Sequence, residues 1–425
     1  MPRAGQRLRI IVGGMVGQFP LGGVAWDYLH YVLGLLQLGH DVCYHEDTWA
    51  WPYDPIKRYP TDDPDYSVRF LQKFFEDYAP ELRDRWHYVL LHDKHFGMSQ
   101  AAFDEFAASA DIFLNVSGAC FVPDSLGGRC LKVFMDTDPG YNQIRLAERP
   151  AWSENIDRWC KAVRAHDRHL TYAENIHAED CALPRLDYDW RPTRPVVTLE
   201  HWAALRDRQP PPDAPLTTVM TWDYFRGPLV HRGVKYRTKV PEFARFRNLC
   251  RLTPHPIELA VGGWKTPHDR LRHRGWKLAD AGRETLTAES YQAFIARSLG
   301  EWSIAKNVYT ATRSGWFSCR TACYLAAGRP AVVQDTAWSR YVPSGRGVIA
   351  FSNMQECLAG LEEVHAHLPL HRQAAFEIAR DYLSPQAVLP PMIEAIYASS
   401  HESAPRPPGV GKAAAAQHKA PLRNQ

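Results

Sequence analysis

Two periods of hydrophobic positions alternate along this chain. Leu8 to Val12 is a short apolar run interrupted only by Arg9, and Gly13-Gly14 ends it. Gly17, Gly22 and Gly23 spread glycine through the adjoining loop. From about Val24 to Leu38, the residues Leu29, Val32, Leu33 and Leu36, flanked by Tyr28, recur at the spacing of one helix face. Gly39 suits the position after a helix, and Asp41-Val42-Cys43-Tyr44 opens the next strand. A strand, glycine loop, helix and strand in this order build parallel sheet.

The same alternation continues. Strands are expected at Asp111 to Val116, Cys130 to Met135 and His169 to Tyr172, with helices at Tyr66 to Asp77 and Gln100 to Ala108. These make one α/β domain over about residues 1–190. Prolines then change the texture: two fall between Trp190 and Pro195, and Gln209 to Pro215 reads Gln-Pro-Pro-Pro-Asp-Ala-Pro. Residues 191–215 are read as a linker with a short helix at Leu199 to Arg206.

A second α/β series begins at Leu216 to Trp222. It continues through Ile257 to Val261, the helical Ser290 to Leu299, and the strands Ala331 to Gln334 and Val348 to Phe351. The second domain spans 216–370. Closing helices are expected at roughly Met354 to Ala366, His371 to Tyr382 and Gln386 to Tyr397, and 371–399 are expected to pack back across a cleft. Residues 400–425, rich in Pro, Ala, Gly and basic residues, read as a disordered tail.

Composition narrows the class. With 425 residues, 45% apolar and 23% charged, the chain is globular and large enough for two cores. A net charge of +3 gives no sign of a nucleic-acid binder. No run approaches the roughly 20 apolar residues that span a bilayer. Nine scattered cysteines suggest reduced thiols and a cytoplasmic protein. Cys319 and Cys323 lie one helical turn apart, but no His or Cys pair nearby completes a metal site, so none is expected. Most of the fourteen tryptophans are read as core, although tryptophan also lines carbohydrate clefts.

The chemistry concentrates between Glu301 and Thr336. Ser314-Gly315 is a tight turn, Ser318 is placed to cap a helix from Cys319 to Ala327, Gly328 stops it, and Ala331-Val332-Val333 is a buried strand. A helix start of this kind presents free N–H groups and the positive end of a dipole, which suits a diphosphate. Arg313 and Arg320 flank it. Any αβ junction of a doubly wound domain has the same spacing.

The run Arg313-Ser314-Gly315, the helix, and then Ala326-Ala327-Gly328-Arg329-Pro330-Ala331-Val332-Val333 resembles the donor-binding segment of GT-B glycosyltransferases, families 1 and 4 in particular. Gly13-Gly14 looks like the amino-terminal glycine loop of that fold, and Gly345-Arg346-Gly347 with the helix from Met354 resembles its next element. The resemblance implies an α/β fold of two Rossmann-like domains with an interdomain cleft. It also implies metal-independent transfer of a sugar from a nucleoside-diphosphate donor, the nucleotide sugar being co-substrate with no resident cofactor. Donor contacts fall on Gly13, Gly14, Arg313, Ser314, Gly315, Ser318, Cys319 and Arg320, with Lys265 and Lys306 as further cations. One departure stands out. Many members carry a glutamate for the donor hydroxyls where this chain has Cys323, and a thiol accepts hydrogen bonds poorly.

On the acceptor side, Asp136-Thr137-Asp138-Pro139-Gly140-Tyr141-Asn142-Gln143 follows an apolar strand at the edge where open α/β sheets place ligands. Asp136 or Asp138 is expected as the base, Gln143 as a hydroxyl-positioning group, and His166 or His169 as alternative bases. The bland reading is an Asp-Pro-Gly turn with a helix cap. Glu174 and Asn175 are cleft-edge candidates for the acceptor, expected to be a small molecule or glycan. Two other functions remain open: a sugar-nucleotide epimerase of the same fold, and a GT-B-like binding protein without turnover.

Overall fold

The computed structural model describes residues 6–150, 156–211, 213–223, 229–263 and 265–398. The tail read as disordered, 400–425, lies outside them. The chain builds two large sheets, besides two small two-stranded ones. Strands of the first are β1 (Arg9–Gly13), β2 (Asp41–Asp47), β3 (Trp86–Leu90), β4 (Lys94–Gly97), β5 (Ile112–Val116), β6 (Leu131–Asp136), β7 (Arg168–Thr171) and β8 (Trp190–Pro192). Their spatial order is β8-β7-β6-β5-β1-β2-β3-β4, and every pairing is parallel except β3 with β4. The second sheet has β9 (Leu216–Thr221), β10 (Ile257–Gly262), β11 (Lys277–Ala279), β12 (Gly300–Ser303), β13 (Ala331–Gln334) and β14 (Val348–Phe351), in the order β11-β10-β9-β12-β13-β14, all parallel. Each sheet is doubly wound, with strands added outward in both directions from β1 or β9.

Four helices frame the space between and beneath the sheets: α1 (Gly22–Gln37), α2 (Gln100–Ala108), α3 (Cys319–Ala326) and α4 (Pro385–Tyr397). Strand β1 is apolar on both faces because helices cover both, as parallel sheets require. The two halves share one continuous core. Tyr28, Val32 and Leu33 of α1 belong to the same buried cluster as Ala322 and Leu325 of α3 and Leu389 and Met392 of α4. At the start of α1 the approach is so close that a Cβ on Gly22 would lie 2.0 Å from the carbonyl oxygen of Thr287, so only glycine fits. The amide of Gly22 donates to the Thr285 carbonyl at 2.8 Å, and the Trp26 indole donates to the Ala288 carbonyl.

Helix α4 lies on the amino-terminal half. Leu389 and Pro385 cover Gly34 of α1, Arg168 donates to the Ile396 carbonyl, and Arg191 donates to the Ala398 carbonyl at 2.9 Å. Ser384 caps it by accepting from the Ala387 amide. Five strands of these sheets stand where the sequence predicts none: β3, β4, β8, β11 and β12. Strand β4 carries polar residues at the sheet edge, and β8 includes Pro192, which an edge strand tolerates. Strand β12 is central yet contains Glu301, and its carboxylate is neutralised by Arg320 of α3.

Candidate functional site

Helix α3 begins between the two halves. Gly328, in the left-handed region at φ 62°, ends the turn that leads to β13. Cys319 at the helix start lies against Asp27 of α1, and burial pushes the Asp27 carboxyl up to about 6, the Cys319 thiol opposing the shift and Asp138 adding to it. Asp27 Oδ1 is buried and has no hydrogen-bond partner among the described residues. Ser318 makes no side-chain cap bond, contrary to the expected capping role, and is buried.

Three cations gather here. Arg320 donates to Glu301 Oε1 and to the Val219 carbonyl, each at 2.7 Å. Lys306 bridges to Asp138 at 2.5 and 2.8 Å, joining the second half to the first, and lies 5.1 Å from the Tyr141 ring centre. Lys239 is the third, and no sequence pattern singles it out. It is buried, and its ammonium forms no hydrogen bond or ion pair with any described residue. Burial holds it well below the ordinary lysine range, and the charges of Arg320 and Lys306 push the same way, outweighing Glu301. A lysine buried against two other cations gives up much of its hydration without gaining a bonded counter-ion, an arrangement that an anion relieves. The only sequence signal is its place just before Val240-Pro241, a plausible helix start after the first strand of the second domain.

A small hollow of about 10 Å³ lies beside the helix start, between Ser303, Ala305, Trp316, Ser318 and Gln334, and none of the three cations lines it. The Lys306–Asp138 bridge and the Asp27–Cys319 contact tie the two halves together.

The other expected donor residues fall elsewhere. Arg313 points to Asp180 at 2.8 Å, where Arg340 joins it at 2.7 Å, and these two guanidinium groups hold Asp180 well below the usual carboxylate range. Ser314 and Gly315 form the turn beneath. The Ser314 carbonyl accepts from the Asn175 amide at 3.0 Å, and a Cβ on Gly315, at φ 83°, would lie 2.5 Å from that nitrogen. The Arg313-Ser314-Gly315 turn is thus a clasp between the halves. Gly13 lies against Phe113 and Cys120, and Gly14 against Tyr44, as close-packing positions. The loop after them is held by Glu46, which accepts from the Gly17 and Gln18 amides at 2.7 and 2.6 Å. Lys265 sits exposed at φ 70°, past the end of β10.

Among the expected bases, Asp136 is fully buried and saturated. Oδ1 accepts from Asn142 at 2.6 Å and from the Asp138 amide, and Oδ2 accepts from Gln143 at 2.6 Å and Thr171 at 2.7 Å. It organises the turn, the bland alternative for this segment, and Gln143 is spent on Asp136 and the Gly140 amide. His166 bonds Asn115 and the Ala162 carbonyl, and burial lowers it to about 4. His169 donates through Nε2 to the Val163 carbonyl, within its own neighbourhood. Glu174 is paired with Arg194 in the interior. Neither histidine nor Glu174 reaches the start of α3 by any of these bonds. Cys323 is buried with Sγ 3.7 Å from His30 Nε2 of α1. Among the described residues no group of His, Cys, Asp and Glu is arranged to hold a metal ion, all nine cysteines are free, and no helix is long and apolar enough to cross a membrane.

No protein-family model matches the chain, and no curated protein does. Solved structures do. An alpha-glucosyltransferase in complex with UDP and a 13-mer DNA containing a central A:G mismatch matches with TM-score 0.56 and 10% identity, over 92% of this chain and all of that one. An alpha-glucosyltransferase in complex with UDP-glucose and DNA containing an abasic site gives 0.54 and 9% over the same spans. Anabaena HepE in complex with UDP and glucose gives 0.51 and 11%, again over 92% and 100%. At such identities the likeness is one of fold: two Rossmann-like domains flanking a cleft, the GT-B arrangement.

Proposed function

We propose that this protein transfers a sugar from a uridine-type nucleotide sugar to an acceptor, with the donor diphosphate seated at the start of α3. The observation that carries this reading is Lys239, buried without a counter-ion beside Arg320 and Lys306. A diphosphate entering there would gain two lysines, the amides of the helix start and the dipole behind them. It would also replace Asp138 as the partner of Lys306, so the Lys306–Asp138 bridge acts as a latch that donor binding exchanges. The shared fold with structures that hold UDP supports the choice of nucleotide.

Catalysis on this reading is electrostatic. The acceptor oxygen forms a bond to the anomeric carbon, the bond from that carbon to the diphosphate breaks, and the nucleoside diphosphate leaves with the electron pair under the cations. The acceptor's proton goes to Asp27. Its unpartnered oxygen and raised value near 6 fit a base that is ionised at neutral pH and still avid for a proton. Asp27 takes the role that the sequence assigned to Asp136 or Asp138. Isothermal titration with UDP and UDP-glucose tests the donor site. Wild type is expected to bind both, with Lys239→Met weakened by about a hundredfold, as for loss of a charged hydrogen bond of about 2–3 kcal/mol. Equal affinity in the two proteins would remove α3 from the donor site and the transferase reading with it.

A further inference from the structure

A second hollow, of about 640 Å³, lies on the opposite face of the first sheet from α1. Side chains alternate along a strand, so Cys43, His45 and Asp47 of β2 share one face with His87 and Val89 of β3, the face that α2 covers. His95 of β4 pairs with Val89 and joins them. Near the amino ends of these strands that face is apolar, closed by Ile11, Cys43, Phe106 and Phe113. Towards the carboxyl ends it turns to imidazole and carboxylate, and there it opens. The sheet stands between this hollow and α1, so an occupant is set apart from Asp27 and from the proposed transfer chemistry. Its volume is in the range that small-molecule sites have.

The imidazoles are organised. His45 Nδ1 lies 3.2 Å from His87 Nδ1, and His87 Nε2 lies 3.1 Å from His95 Nδ1, a hydrogen-bonded row of three rings. Phe103 stacks on His45 and His87, each at 4.4 Å. Burial holds His45 well below the ordinary histidine range and His87 at about 4, neighbouring imidazoles adding to both, so the inner rings are uncharged at neutral pH. An uncharged ring has one N–H and one bare nitrogen. His87 spends both nitrogens in the row, so accepting from His45 makes it donate to His95, and the converse. His45 lines the hollow and is only 3% exposed, yet its Nε2 bonds no described residue. That nitrogen is the unused inner end of the row. A ligand N–H donated to it would hold the His45 proton on Nδ1 and point all three hydrogen bonds outward, each strengthening the next.

The remaining lining is negative. Asp47, Asp104 and Asp124 line the hollow, and no described lysine or arginine does. Asp47 pairs with His92 through Oδ2, and Asp104 Oδ1 accepts from the Gln100 amide at 2.7 Å. Arg158 is outside the lining, 5.0 Å from the ring centre of Phe121. Acceptors therefore outnumber donors, and the field inside favours a cation.

We infer that this hollow is a binding site of its own, separate from sugar transfer, for a small organic cation bearing N–H donors: a primary or secondary amine. One N–H donates to His45 Nε2, and the charge lies among Asp47, Asp104 and Asp124. A quaternary ammonium brings the charge without the donors, and a polyol brings donors without the charge. An anion would meet three carboxylates and no lining cation.

Isothermal titration of the full chain with spermidine, choline and sorbitol, at low salt and with EDTA present, tests this directly. Spermidine is expected to bind, with choline and sorbitol weaker by about tenfold or more. Asp104→Asn and Asp124→Asn are each expected to weaken spermidine by about fivefold. Asp269→Asn, at an exposed aspartate outside the hollow, should leave it unchanged, which separates the site from general attraction to acidic surface. His45→Phe keeps a ring against Phe103 but removes the nitrogen, and about a tenfold loss is expected. The two aspartate variants decide the matter if that buried change unfolds the protein. UDP affinity should stay as in wild type in every variant. The inference is overturned if spermidine does not bind, if choline binds as tightly, or if both hollow aspartate variants bind spermidine as wild type does. A response to zinc ions, titrated without EDTA, and none to spermidine overturns it too. Failure of UDP to bind would bear on the transferase reading alone.

Discussion

The cradle at α3 and the hollow under α2 both lie at the carboxyl ends of parallel strands, yet they are opposites in charge. The cradle gathers Lys239, Lys306 and Arg320, with Asp138 paired to Lys306. The hollow gathers Asp47, Asp104 and Asp124 around uncharged imidazoles and stands open at about 640 Å³. The difference is one of electrostatics: on the donor reading an anion entering the first exchanges with Asp138 for Lys306, whereas the second offers carboxylates and uncharged imidazoles to a ligand that donates hydrogen bonds.

The largest expected effect comes from the cation that is already paired. Arg320→Ala leaves Glu301 buried without its partner, and a loss of about 3–5 kcal/mol of stability is expected. Denaturant unfolding measures it, and adding Glu301→Gln should restore most of the loss. If Arg320→Ala is as stable as wild type, Arg320 is not the structural member of the cradle. Lys239→Met acts in the other direction. A lysine whose folded value is depressed binds fewer protons folded than unfolded, so its penalty is greatest below that depressed value and fades as pH rises towards the ordinary lysine range. Lys239→Met is therefore expected to melt higher than wild type at pH 7, with the gain shrinking at pH 10, even as donor binding is lost.

Asp138→Asn should open the latch. UDP affinity is expected to rise by roughly three- to tenfold, since the ligand no longer competes with a carboxylate for Lys306. A fall in affinity would show instead that Asp138 positions Lys306 for the donor. A fourth effect concerns Asp27. Its folded value near 6 lies above the unfolded 3.8, so its contribution to stability is present below about pH 4 and is lost as pH rises through 6. Asp27→Asn should accordingly be the more stable protein at pH 7 and lose that advantage at pH 4. Turnover by wild type should rise with pH around 6 and be absent in the variant.

Much of the framework was legible in the residues. Strand β1, the glycine loop and α1 follow from an apolar run, a glycine cluster and a 3.6-residue period, all local signals. The segment from α3 to β13 was legible for the same reason, with Gly328 and Pro330 marking the turn. Strand β12 was hidden because Glu301 reads as polar, and only its contact with Arg320, nineteen positions on, makes it a core residue. The hollow was hidden more deeply. His45, His87 and His95 come from three strands, and nothing in their spacing along the chain shows that they form one row.

The order of strands, helices and glycines by itself determined that this protein is two doubly wound domains and that α3 runs into β13 through the Gly328 turn, because hydrophobic period and turn chemistry act over a few residues. Tertiary structure alone decided which charged groups do what. Asp136 became a saturated turn anchor and Arg313 a clasp, while Lys239 and Asp27 were left buried without full pairing. The physical reason is that a side chain's charge and hydrogen-bond capacity are fixed by its neighbours in space, and at these positions the neighbours come from the other half of the chain or from distant strands.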